Sequence, residues 1–102
     1  MDTTGDGRAW LADYRRRLDE LRTRAEQVQT EITALTATVT SPDGAVSATV
    51  GHSGRLSGLV LGPAAEALSR ERLADLVVRT AADAAAEVSR RAERALGPLL
   101  DR

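Results

Sequence analysis

The residues whose type and spacing could do chemistry are arginines, and the chemistry is anion binding. Arg15, Arg16 and Arg17 run together, Arg22 and Arg24 follow within two turns, and Arg90, Arg91 and Arg94 gather near the other end of the chain. A guanidinium presents paired donors that match phosphate oxygens. The competing reading of such a run is a solvated helix face, with Arg15 to Asp19, Arg16 to Glu20 and Arg22 to Glu26 as i,i+4 pairs worth only tenths of a kcal/mol. Nothing comparable points to catalysis. His52, the only histidine, lies between Gly51 and Gly54 and reads as a solvated turn residue. Cysteine is absent, no His or carboxylate spacing resembles a metal site, and no nucleophile has a base or orienting partner in a motif. The Gly-rich stretch from Gly51 to Gly58 leads into a strand rather than a helix N-terminus, so it is no phosphate loop. The expectation is therefore no enzyme, no cofactor, no metal and no small-molecule substrate.

Length and composition narrow the field further. The 102 residues make one domain, too small to bury much surface without help from a partner. Trp10 and Tyr14 are the only aromatics, so Ala, Val and Leu must fill the core. Absence of cysteine suits a reducing compartment. No apolar run reaches the about 20 residues that span a bilayer, and MDTTGDG lacks the basic and apolar regions of a signal peptide. The expectation is a cytoplasmic protein with no membrane partner. Net charge is −1, which hides a segregation. Arg8, Arg15, Arg16, Arg17, Arg22 and Arg24 outnumber Asp13, Asp19 and Glu20, the middle of the chain is acidic, and the tail from Val88 is basic again.

Three kinds of element must position these charges. Leu11, Tyr14, Leu18, Leu21, Ala25, Val28, Ile32 and Leu35 recur at alternating steps of three and four, which predicts a long heptad helix. With Leu11 at position a, Arg8, Arg15 and Arg22 fall at e and Arg17 and Arg24 at g, while Asp13, Asp19, Glu20 and Glu26 lie on the b and c side. Residues 1–7 are expected to be unordered, with Thr4 or Asp6 capping the helix. TATVT at 36–40 then switches to strand propensity. The turn signals Ser41-Pro42-Asp43-Gly44 and Gly51-His52-Ser53-Gly54 punctuate an antiparallel meander. Val46, Ala48 and Val50 are expected on its apolar face, and Ala45, Ser47 and Thr49 on the other. Leu56, Leu59 and Leu61 cannot share one face of a regular strand, so a bulge is expected near Gly58. Ser69 is the expected N-cap of a second long helix, with Gly97-Pro98 as its stop. The domain is thus expected at 8–97, followed by a tail at 98–102.

The fold class is α+β, in the order α-β-β-β-α. A helix of about 28 residues is roughly 42 Å long and a six-residue strand only about 20 Å, so each helix should overhang the sheet. A second copy is the expected cover, contacting Leu11, Tyr14, Leu18, Leu21, Val46, Ala48 and Val50. If both helices leave the sheet side by side, their arginine-rich ends meet in one basic tip per subunit, suited to phosphate backbone rather than base edges.

TATVTS, SPDGAVSATVGHSGRLSGLVL and a helix containing LADLVVRTAADAAAEV, in this order after a heptad helix, resemble the YbaB/EbfC family of nucleoid-associated DNA-binding proteins, particularly its actinobacterial branch. The likeness covers about residues 8 to 97. Its most specific parts are Asp43-Gly44-Ala45-Val46, Gly54-Arg55-Leu56 with Leu59 and Leu61, and Leu73, Leu76 and Ala82-Asp83-Ala84. The resemblance implies a tweezer-shaped homodimer in the nucleoid that binds double-stranded DNA with low sequence specificity through helical arms, and no catalytic residues. The Met- and Lys-rich first helix of the family is replaced here by Leu and Arg. Arg15, Arg16, Arg17, Arg22, Arg24, Arg90, Arg91 and Arg94 are what remain as DNA-contacting candidates. The alternative is a protein-interaction or accessory module, for example of a secretion locus, that uses the heptad seam of the first helix.

Overall fold

The computed structural model describes the backbone of residues 3–100 and the side chains of residues 7–98. Helix α1 runs Thr3–Thr33, strands β1 (Thr36–Thr40), β2 (Val46–Gly51) and β3 (Leu56–Leu61) follow, a short 3-10 helix spans Pro63–Ala67, and α2 runs Arg70–Leu100. The three strands form one antiparallel sheet in the order β1-β2-β3, as the meander reading expects. Ser69 caps α2 by accepting from the Arg72 N–H at 3.2 Å.

The sheet is pinned at its turns. Gly44 and Gly54 take positive φ, +74° and +81°, which glycine adopts without steric cost. In the first turn the Ser41 hydroxyl donates to Asp43 Oδ1 at 2.7 Å and accepts from the Val46 N–H at 3.1 Å, while the Ala45 N–H donates to the same carboxylate at 3.0 Å. The Ser41 hydroxyl and the Ala45 N–H together hold the Asp43 carboxyl below its ordinary pKa. Gly62 passes directly over this turn and donates to the Ala45 carbonyl at 2.8 Å.

The bulge is where the spacing of the leucines requires it. Thr49 pairs with Gly58 and Val50 with Leu56, leaving Ser57 as the extra residue. Leu56, Leu59 and Leu61 therefore stand opposite Val50, Ala48 and Val46 on one face of the sheet. The opposite face is polar, with hydroxyls bonded across the strands from Thr38 to Thr49 at 2.6 Å and from Thr40 to Ser47 at 2.7 Å.

Helix α2 lies along β1 and β2. At one end Leu73, Leu76 and Val77 pack on Ala45, Val46 and Ala65; at the other, Ala84 and Val88 pack on Ala37 and Val50. Among the described residues no fully enclosed side chain exceeds valine in size, so helix and sheet approach closely, as an alanine stripe permits. Ala45, expected on the polar side, is fully buried here, because it precedes β2 and lies in the turn under α2.

Three further expectations are corrected. Helix α1 begins by Thr3, so Thr4 and Asp6 lie within it rather than capping it. Helix α2 continues through Gly97-Pro98 to Leu100; Pro98 has no N–H to give the Arg94 carbonyl, and only Leu99 and Leu100 follow it in the helix. Val46, Ala48 and Val50 are completely buried by the chain's own α2 and have no surface to give a second copy. The molecule is a rod of 85 × 21 × 16 Å with a radius of gyration of 22.9 Å, against about 13 Å for a compact domain of this length.

A methyl group added at Gly62 would run into the Gly44 carbonyl. Gly62→Ala is expected to lower stability by about 1–3 kcal/mol in denaturant unfolding, whereas Gly7→Ala, with open space around it, is not.

Candidate nucleic-acid interface

The sequence-selected arginines fall into two separate groups. Arg15, Arg16, Arg17, Arg22 and Arg24 are exposed along the free part of α1. Arg90, Arg91 and Arg94 are exposed on α2, but at the junction where α1 enters the sheet, since Arg91 Nη1 donates to the Thr36 carbonyl at 2.7 Å. From Thr33, at that junction, back to Arg16 is about 26 Å along the helix axis at about 1.5 Å per residue. A single basic tip is therefore not formed. The reason is that α2 lies along the sheet instead of leaving it by one end: its small-residue stripe from Leu73 to Val88 is used on β1 and β2, which brings Arg91 to the start of β1.

The second group is organised by one carboxylate. Glu87 accepts from Arg90 at 2.8 and 3.1 Å, from Arg91 Nε at 2.9 Å and from Arg94 at 3.4 Å. Hydrogen bonds from Arg90 and Arg91 push the Glu87 carboxyl below its ordinary pKa. Arg91, bonded to Glu87 and to the Thr36 carbonyl at once, ties α2 to the root of the α1 arm. These arginines are partly neutralised and in structural use.

The first group is freer. Asp13 pairs with Arg16 and, at 2.6 Å, with Arg17. The expected Arg15–Asp19, Arg16–Glu20 and Arg22–Glu26 pairs do not form. Helical side chains lean toward the N-terminus, so an acid followed by a base three or four residues later meets it more readily than the reverse order. Asp13 and Glu87 each have that order; the expected pairs have the opposite one. Among the described residues Arg15, Arg22 and Arg24 make no ion pair, nor do Asp19, Glu20 and Glu26, so a projecting helix carries three unpaired guanidinium groups.

The sequence model of the YbaB/EbfC DNA-binding family matches residues 9–102. The chain belongs to this family. A search of curated proteins gave no match. YbaB/EbfC is a DNA-binding family, and the α-β-β-β-α order seen here is the one the sequence reading expects. No described helix of this YbaB/EbfC chain is long and apolar enough to cross a membrane.

Two features of this YbaB/EbfC chain went unread in the sequence. One is the Glu87 hub, whose signal, Glu followed by Arg at three, four and seven residues, is present in the one-letter string. The other is the stacking of Trp10 on Tyr14, with ring centroids 5.4 Å apart and planes 5° from parallel, which the i,i+4 spacing allows.

Because the folded pKa of Glu87 lies below its unfolded value, the hub contributes stability above the unfolded value and loses it as pH falls through the folded one. Glu87→Gln is expected to melt at a lower temperature than the parent at pH 7, and the two melting curves should converge below about pH 4, the ordinary carboxylate range. A gap that persists unchanged into acid would show that the carboxylate charge is not what holds the junction.

Proposed function

We propose that the protein acts as a homodimer that binds double-stranded DNA with low sequence specificity, through phosphate contacts made by the arginines of the α1 arms, in the nucleoid of a cytoplasm. The observation that carries this reading is the set of unpaired arginines on a projecting helix in a member of a DNA-binding family. Arg8, Arg15 and Arg22 recur every seven residues, about 10.5 Å apart along one side of the arm. Arginine in such a row supplies charge at intervals; no recognition-helix motif accompanies it, so the contact positions without reading sequence. Arg16 and Arg17 share Asp13 and take a smaller part. Arg90, Arg91 and Arg94, held by Glu87, serve this reading chiefly by fixing the arm.

The second copy is proposed on β3. Among the described residues its outer edge has no strand beside it, and Leu56, Leu59 and Leu61 on one face and Val60 on the other are 43% to 65% exposed. An uncovered apolar edge is a template for pairing. A two-fold axis through it would join β3 to β3 antiparallel and carry two arms on one continuous sheet.

In a titration of fluorescent duplex, affinity is expected to fall linearly with the logarithm of salt concentration. Replacing Arg15, Arg22 and Arg24 with Ala should weaken all sequences alike and make the salt slope shallower by roughly 1 for each phosphate that is no longer neutralised. No binding at low salt, or binding without a salt slope, would exclude the phosphate mechanism. For the dimer, light scattering should give twice the chain mass of 10.8 kDa, and Leu59→Arg with Leu61→Arg should return it to one chain mass; a monomeric parent would remove β3 as the interface.

A further inference from the structure

The arm carries a second surface that the arginines alone do not use. Leu11, Tyr14, Leu18 and Leu21 form a continuous apolar seam, 40% to 50% exposed, with Trp10 beside it 66% exposed and stacked on Tyr14. Helix α2 meets α1 near its root, where Val28, Ile32 and Leu35 are partly buried, and the seam above that level is left in water. From Trp10 to Leu21 it is about 17 Å long, some three helical turns. An apolar stripe of this length on a helix is a seat for another helix.

The flanking charges say which helix. Arg8, Arg15 and Arg22 border one side of the seam and Arg17 and Arg24 the other. If two α1 arms paired in parallel, the e flank of one would face the g flank of the other; if antiparallel, e would face e and g would face g. Every arrangement opposes arginine to arginine, so a second copy of the arm is repelled. A duplex would satisfy the guanidinium groups and leave the leucines wet. A helix with an apolar seam and acidic flanks satisfies both at once.

We propose that the α1 seam is a docking surface for an amphipathic helix of a partner protein that bears Glu or Asp on both sides of its own apolar stripe. The apolar residues carry this proposal, and it stands whether or not the arms also bind DNA.

The full chain reports on its own seam, because Trp10 is its only tryptophan. Three synthetic helices serve as probes: one with Leu and Ile at the seam and Glu at both flanks, a twin with Lys at the flanks, and a twin of the first with Ser at the seam. Titrations without DNA, followed by Trp10 emission and calorimetry, should show saturable binding of the Glu-flanked helix with a blue shift. The Lys-flanked twin should bind about tenfold more weakly or less, as several flank pairs of a few tenths of a kcal/mol each would give, and the Ser-seam twin should give no shift. Leu18→Ser with Leu21→Ser should abolish binding while leaving the melting temperature of the domain in place, and Arg15→Glu with Arg22→Glu should shift preference toward the Lys-flanked helix. Equal affinity for the two leucine helices, binding of the Ser-seam twin, or no response to any probe would overturn the proposal. So would crosslinking between Tyr14 positions of two copies in the free protein, which would give the seam to a second arm.

Discussion

A helix of 31 residues joined to strands of five and six cannot be covered by the sheet it enters, and the rest of the molecule follows from that mismatch. At about 1.5 Å per residue the helix is roughly 46 Å long, more than twice the length of the strands. The other long element, α2, is used on β1 and β2, where its alanines and valines close against Ala37, Val46 and Val50. What remains uncovered is the outer part of α1 and the leucine face of β3. Both are consequences of one allocation: a single helix of small residues covers two strands and no more.

The same allocation decides the electrostatics. With α2 laid along the sheet, its C-terminal arginines arrive at the root of the arm, where Glu87 gathers them and Arg91 reaches the Thr36 carbonyl. Arginines that the sequence presents as equals thus divide into a structural set and a free set. Asp13 makes a smaller division of the same kind on α1, engaging Arg16 and Arg17 and leaving Arg15, Arg22 and Arg24 unpaired. In both places the acid precedes the bases in the chain, which is the order that helical side-chain direction favours.

Much of this architecture was legible in the sequence because local chemistry and long-range packing agree. The heptad spacing of α1, the Ser41–Gly44 turn, the Ser69 cap and the bulge demanded by Leu56, Leu59 and Leu61 each rest on residues within a few positions of one another. Two misreadings had a tertiary cause: the resting place of α2, which buried Val46, Ala48 and Val50 inside one chain, and the resulting separation of Arg91 from Arg15. Gly97-Pro98, read as a stop, lies within α2, which carries Pro98 at the loss of one backbone bond two residues before its end. The family likeness raised the expectation of DNA binding, but the residue division within the arm came from geometry.

Both proposed surfaces of the arm depend on α1 standing away from the sheet, with its arginines far from the Glu87 hub. Because the chain has no native cysteine, paired spin labels can be placed on Cys substituted at Arg16 and Glu93, diluted with unlabelled protein so that one labelled chain is observed at a time. A pulsed distance measurement should return a separation of roughly 25–30 Å, set by the helical rise between the arm and its root. A dominant distance below about 15 Å would mean the arm folds back on the hub, and would contradict the structure from which the binding surface is argued.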